Sequence, residues 1–252
     1  STAGRRSLDS GDRMRVISID QITCNIAGAR SEYEGAFELL HRRYLDAGLT
    51  PDCDRRLRVL PYHLAPSTQV FVAKQRGLVI CCVSLVRVAC SGGLSCGLPM
   101  DQWFASKLEY DRRAGRSIAE ACSLAVDLRG PWSTGEVFGQ LTRIMMFFAR
   151  RSGVDKLVAM VHPRHAAFYR RAMGFSVIGK PKKCDLVDGK PGIPIIGSVN
   201  AAQLYRPRWR KFYFDGDFEP HELTPRYLSP SDTAYFASHV DAPSIAPSRR
   251  AA

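Results

Sequence analysis

The 252-residue sequence has no uninterrupted apolar run long enough to span a bilayer: its longest, Gly77 to Ala89, is broken by Ser84 and Arg87. A crossing helix needs about 20 mostly apolar residues, so no transmembrane segment is expected. No basic, apolar and cleavable leader opens the chain either, and the expected compartment is the cytoplasm. Metal-ligand spacing is equally scarce. Cys90 and Cys96 flank a Ser-Gly-Gly-Leu-Ser loop, with no CxxC pair and no histidine at metal spacing nearby. Cys81 and Cys82 are adjacent in a strand and point to opposite faces, while Cys24, Cys53, Cys122 and Cys184 stand alone. No metal site is expected, and the thiols read as reduced and mostly buried. There is no helix-turn-helix or zinc-finger spacing and no RNP-like aromatic strand, so nucleic-acid binding has only charge to support it.

What the sequence does have is charge of one sign. The formal net charge is +12, which calls for an acidic partner or a nucleic acid. The charge is clustered: Arg164, Arg170, Arg171, Lys180, Lys182 and Lys183 occupy one stretch without an acidic residue, closely preceded by Arg143, Arg150, Arg151 and Lys156. With 45% hydrophobic residues the chain can bury a full core as one elaborated domain with terminal extensions. Residues 1–14 read as a disordered leader, 15–199 as the folded domain and 200–252 as an extension that packs back as far as about Tyr235 and ends in a disordered tail.

The stretch from Ser117 to Asp127 organises the rest. Ile118 to Val126 is small and apolar almost throughout, as in a strand covered on both faces, and only Glu120 and Ser123 interrupt it. Burying a lone carboxylate costs several kcal/mol unless it is paired or used. Glu120 is therefore the first functional candidate, with an ion pair to an arginine as the structural alternative. Ser133 and Glu136, in capping-box spacing, open a helix over 134–152 that ends at Gly153 and presents Val137, Phe138, Leu141, Ile144, Met145 and Phe148 on one face.

Elsewhere, a strand is expected over 15–26 and an amphipathic helix over 32–47. A long connection from Thr50 to Ser67 follows, carrying Arg55, Arg56 and Arg58. Strands 68–74 and 78–88 form a hairpin, and 100–113 is helical. A short strand, 156–161, precedes His162-Pro163-Arg164 and a helix over 166–173, with two further strands at 175–179 and 193–199. The sum is a mixed α/β sheet with one central crossover, from the Glu120 strand through the long helix to the Lys156 strand.

These elements resemble the fold of the GNAT acyltransferases, with a mixed, mostly antiparallel sheet and a splayed central parallel strand pair. Three stretches are similar to the FeeM-like long-chain N-acyl amino acid synthases and, more distantly, to the acyl-homoserine lactone synthases: Gly97 to Asp101, Ala119 to Val126, and Val161 to Phe175. The resemblance covers roughly residues 15–199. It implies transfer of a long acyl chain from the 4′-phosphopantetheine thioester of an acyl carrier protein to the α-amino group of an amino acid, tyrosine in the best-known members. No bound cofactor is implied.

On that resemblance Glu120 takes the amine proton, and the N–H groups of Leu124, Ala125 and Val126 bind the thioester carbonyl and pantetheine arm. Cys122, Ser123, Asp101 and His162 fall beside the substrates. Tyr169 stands near where GNAT enzymes carry a thiolate-protonating tyrosine, although five steps separate it from Gly174 instead of four, and packing is its other reading. A solvated loop is the alternative for His162 and a helix cap that for Asp101. Arg164, Arg170, Arg171, Lys180, Lys182 and Lys183 become the docking face for the acyl carrier protein. Relatives that use coenzyme A cradle its pyrophosphate on an Arg/Gln-x-x-Gly-x-Gly loop. Here Pro131 lacks an N–H, Trp132 is bulky and Glu136 adds negative charge, which disfavours coenzyme A. An acyl-CoA-dependent transferase, a lactone synthase and a non-catalytic nucleic-acid-binding module remain the alternatives.

Overall fold

The computed structural model describes residues 22–51, 56–91, 94–127 and 133–240, with only the backbone of 89–91 and 94–96. The leader, the loop around Pro131 and Trp132, Cys53, Arg55 and the end of the tail lie outside the described residues. The chain starts with β1 (Ile22–Ile26) and α1 (Arg30–Asp46). Glu32 in the first turn of α1 reaches back to the N–H groups of Gly28 and Ala29, satisfying donors that helix starts leave open. A 3-10 turn, Pro61–Leu64, interrupts the long connection, and β2 (Thr68–Gln75) and β3 (Leu78–Arg87) follow. Their turn has Arg76 at φ 50° and Gly77 at φ 79°, the pair of positive values a two-residue hairpin needs.

β4 (Ala89–Ser91) and β5 (Leu94–Cys96) make a separate hairpin that the sequence pattern does not announce. Next come α2 (Asp101–Arg113), β6 (Ile118–Val126), α3 (Thr134–Arg151), β7 (Lys156–Val161) and α4 (Pro163–Met173). The expected capping box opens α3: the Ser133 hydroxyl accepts from the Glu136 N–H at 3.2 Å while Glu136 accepts from the Ser133 N–H at 2.9 Å. Helix α4 begins three residues earlier than expected, because Pro163 has a φ suited to the first helical position and no N–H to leave open. β8 (Ser176–Val177) is shorter than expected. β9 (Lys182–Cys184), β10 (Lys190–Ser198), α5 (Pro207–Phe214) and α6 (Pro230–Ala237) complete the chain.

The main sheet has the order β1-β2-β3-β6-β7-β10-β8, with β9 on the other end of β10. β6 and β7 run parallel; the other described pairs of this sheet are antiparallel. Both faces are covered, and the two-residue period of β2 and β3 shows how. Phe71, Ala73, Cys81 and Val83 pack with α3, whereas Val70, Val72 and Cys82 pack with Tyr33, Phe37 and Leu40 of α1. Cys81 and Cys82 thus point to opposite faces as expected, both buried as free thiols. Leu141 and Met145 of α3 are buried in the first of these cores. A third core lies beneath α2 and gathers Val86, Met100, Phe104, Leu108, Ile118 and Val158 around the start of β6.

The described part of the C-terminal extension, to residue 240, packs on the domain. Arg143 donates to the carbonyls of Phe212 and Asp215, and Arg150 to those of Val199 and Tyr213, so these two cations clamp α5 onto α3. Phe236 of α6 packs against Tyr33 and Phe37 of α1. Among the described residues no helix is long and apolar enough to cross a membrane.

Candidate active site

β6 and β7 pair only from Ile118–Lys156 to Glu120–Val158, yet β6 continues to Val126 and β7 to Val161. Beyond Glu120 the two central strands part. At Ser123 the register of β6 against β3 shifts and the backbone turns to φ 52°, a bulge in which Ser123 and Leu124 together face Val83. Positive φ is costly for a serine and persists only where the surroundings hold it. Past the bulge the Asp127 N–H donates to Ile80 of β3. Backbone directions alternate along a strand, so the Ala125 N–H also turns to β3, and those of Leu124 and Val126 turn to the side that β7 has left. The expected trio of donors is therefore reduced to two.

Beside the parting strands lies a cavity of about 80 Å³, whose walls include Glu120, Cys122, Ser123, Arg58, Tyr62 and Trp103. That volume holds several waters. Glu120 and Cys122 share a face because they are two apart in a strand, and the bulge brings Ser123 to the same wall. Glu120 is 2% exposed and accepts a hydrogen bond from the Met100 N–H at 2.8 Å. Burial pushes its carboxyl up to about 8; the Met100 bond opposes this and the negative charge of Asp101 adds to it. Among the described residues no arginine pairs with it, so the expected structural alternative, an Arg–Glu ion pair, does not hold.

Ser123 is fixed by two neighbours. Its hydroxyl lies 2.8 Å from the Tyr62 hydroxyl and 3.0 Å from Nε2 of His63. Nδ1 of His63 accepts from the Leu60 N–H at 3.0 Å, and burial, with the nearby Arg58 charge, drives the ring's pKa down to about 3. A neutral imidazole that accepts at Nδ1 carries its proton on Nε2, so His63 donates to Ser123 and does not act as its base. The trio is a positioning network, and the geometry offers no activated serine nucleophile. Arg58, 6% exposed, donates to the Thr50 hydroxyl at 2.9 Å and to the Leu186 carbonyl, with its guanidinium 5.0 Å from the Tyr44 ring centre.

Asp101 is the first residue of α2, where it accepts from the Leu98 N–H at 2.7 Å and pairs with Arg112 at 2.6 Å; it is outside the cavity lining and acts on Glu120 only through its charge. His162 is exposed and caps α4, accepting from the Arg164 N–H at 3.3 Å. Tyr169 belongs to an aromatic group with Phe168 and Phe175, and burial raises its phenol to about 12. The basic run that is continuous in sequence is divided in space. Arg164, Arg170 and Arg171 are exposed on α4, while Lys180, Lys182 and Lys183 lie at β9, where Lys182 donates to the Trp103 carbonyl at 2.9 Å. Arg206, Arg208, Arg210 and Lys211 at α5 are exposed next to α4 and extend its basic face.

Sequence reasoning missed Arg58, Tyr62 and His63. All three fall in the connection between α1 and β2, whose only signal was its run of arginines and its Pro61 breaker.

No curated protein sequence matches the chain. Among solved structures it is similar to FeeM, an N-acyl amino acid synthase from uncultured soil microbes, with TM-score 0.61 and 23% identity over 77% of this chain and 95% of that one. It is similar in fold to the acyl-homoserine lactone synthase LasI, with TM-score 0.56 and 14% identity over 79% of this chain and 96% of that one. The family model described as N-acyl amino acid synthase FeeM matches residues 35–196, well over half the chain. The protein thus belongs to the FeeM family of N-acyl amino acid synthases and is an acyltransferase, as the resemblance of its Glu120 strand and α4 stretch implied.

Proposed function

We propose that this enzyme transfers a long acyl chain from an acyl carrier protein thioester to the α-amino group of an amino acid, tyrosine in the first instance, in the cytoplasm. The observation that carries the reading is the buried Glu120 carboxyl in a cavity beside the parted strands. Attack by the amine forms the N–C bond and breaks the C–S bond. The amine proton passes to Glu120, directly or through water in the cavity, and Glu120 or solvent returns a proton to the departing thiolate. An α-amino group ionises near 8, as Glu120 does, so the transfer is close to balanced in energy. The Leu124 and Val126 N–H groups stabilise the oxyanion.

An acyl carrier protein is supported by the exposed cations of α4 and by Glu136, whose carboxylate occupies the start of α3 where a pyrophosphate would need bare N–H groups. An aromatic acceptor is supported by the Tyr44, Tyr62 and Trp103 walls. The test is to supply the purified enzyme with dodecanoyl-acyl carrier protein or dodecanoyl-CoA, and with each of the twenty amino acids or S-adenosylmethionine. N-dodecanoyl tyrosine formed faster from the carrier protein bears the proposal out. A lactone product, or faster turnover of the CoA ester, contradicts it.

A further inference from the structure

Among the described side chains three buried polar atoms have no hydrogen-bond partner, and two of them, Oγ of Ser67 and Nε of Arg87, belong to residues that line one cleft. A buried polar group without a partner costs free energy, so two at one place call for a cause. The cleft has a volume of about 390 Å³, and its walls also include Pro66, Ser117, Ser152 and Tyr227. Arg87 pairs with Ala119 at the start of β6, and Ser117 immediately precedes that strand. The cleft therefore lies at the end of β6 away from the parted strands, and none of its residues lines the cavity of Glu120.

Arg87 is half-buried, with its guanidinium carbon 5.7 Å from the centre of the Phe148 ring, and among the described residues it has no ion pair. The hydroxyls of three serines and of Tyr227 share its cleft. Negative groups close by are already engaged. Asp155 accepts from the Ser117 N–H at 2.9 Å and is outside the lining, and the last carbonyls of α3 accept from the N–H groups of Ser152, Gly153 and Val154. A guanidinium fork with several hydroxyl donors is a donor set for a tetrahedral oxyanion. The cleft has the size of a small-molecule site, more than a bare ion needs, and Tyr227, 58% exposed, offers a ring to an organic part.

We infer that this cleft binds a small phosphomonoester, whose phosphate takes Arg87 and the hydroxyls of Ser67, Ser117 and Ser152 as donors, at a site separate from the acyl-transfer cavity. The Ser67 hydroxyl reaches the ligand by turning about its one side-chain bond.

The test is isothermal titration of the purified enzyme with AMP, glycerol 3-phosphate and inorganic phosphate at fixed ionic strength. One of the esters should saturate a single site and bind tenfold or more tighter than inorganic phosphate. Arg87→Gln should weaken that ester by tenfold or more, because it removes the charge and the fork together. Arg170→Glu with Arg171→Glu, on the exposed face of α4, should leave the ester affinity unchanged. Ser67→Ala removes a buried hydroxyl that has no partner, so without ligand it should melt no lower than the wild type and yet bind the ester more weakly. No saturable binding of either ester up to about 10 mM overturns the inference, as does inorganic phosphate binding as tightly as both. An ester that binds Arg87→Gln as tightly as the wild type, or that is lost only in the α4 variant, overturns it too. If Arg87→Gln does not fold, unchanged ester affinity in Ser67→Ala is the overturning result.

Discussion

The backbone N–H of Met100 donates to the carboxyl of Glu120 at 2.8 Å, so the residue just before α2 holds the one buried acid of the central strand. That single bond leaves the group raised to about 8, nearer to an α-amino group than to an ordinary carboxylate.

The raised value predicts a stability that depends on pH. In the unfolded chain the group ionises near 4.5 and in the folded chain near 8, so between them the folded state holds the extra proton. Stability from this group is full below the unfolded value and falls as pH rises, by about 1.4 kcal/mol per pH unit crossed, levelling off above the folded value. Glu120→Gln keeps an oxygen for Met100 and removes the ionisation. Its Tm should match the wild type near pH 5 and exceed it increasingly up to pH 8. A mutant that melts well below wild type at pH 8 would mean that the carboxylate has a stabilising partner.

Ser123 predicts a reversal of the usual order of small residues. Ser123→Ala strands the buried Nε2–H of His63, which costs roughly 1–3 kcal/mol, and keeps the strained positive φ. Ser123→Gly strands the same donor but relieves the backbone, by about 1 kcal/mol. Denaturant titration should therefore find the glycine variant the more stable of the two. The opposite order would mean that the bulge is not held under strain.

The two exposed arginines near the end of α4 predict donor docking by charge. Arg170→Glu with Arg171→Glu should raise the KM for acyl carrier protein roughly tenfold at low salt, and the gap should narrow as salt screens it. The KM for the amino acid should stay put. Unchanged kinetics at low salt would move the docking face elsewhere.

Much of this was legible in the sequence. The almost unbroken apolar run around Glu120 marked a strand covered on both faces, and Ser133 with Glu136 marked the start of α3, because local patterning and capping are written in neighbouring residues. The two-strand divergence was expected from the family resemblance alone. The site was less legible. Tyr62, His63 and Arg58 reach Ser123 and the cavity across some sixty residues of chain, as the Tyr62–Ser123 and His63–Ser123 bonds show, and no periodicity encodes such a contact. The bulge that turns Ser123 to the wall of Cys122 also breaks the alternation that would have placed it on the other face. The basic run misled in a different way: consecutive in sequence, its members were parted when the chain turned from α4 to β9.

Whether Glu120 takes the proton of the attacking amine is decided by the pH dependence of acyl transfer in the wild type and in Glu120→Gln. The wild-type kcat/KM is expected to rise to an inflection near 8. The mutant should remain folded, turn over about 10²–10⁴-fold more slowly at pH 7, and recover part of the loss at pH 9, where the amine is already deprotonated. A folded Glu120→Gln with the wild-type rate at pH 7 would contradict proton transfer to Glu120.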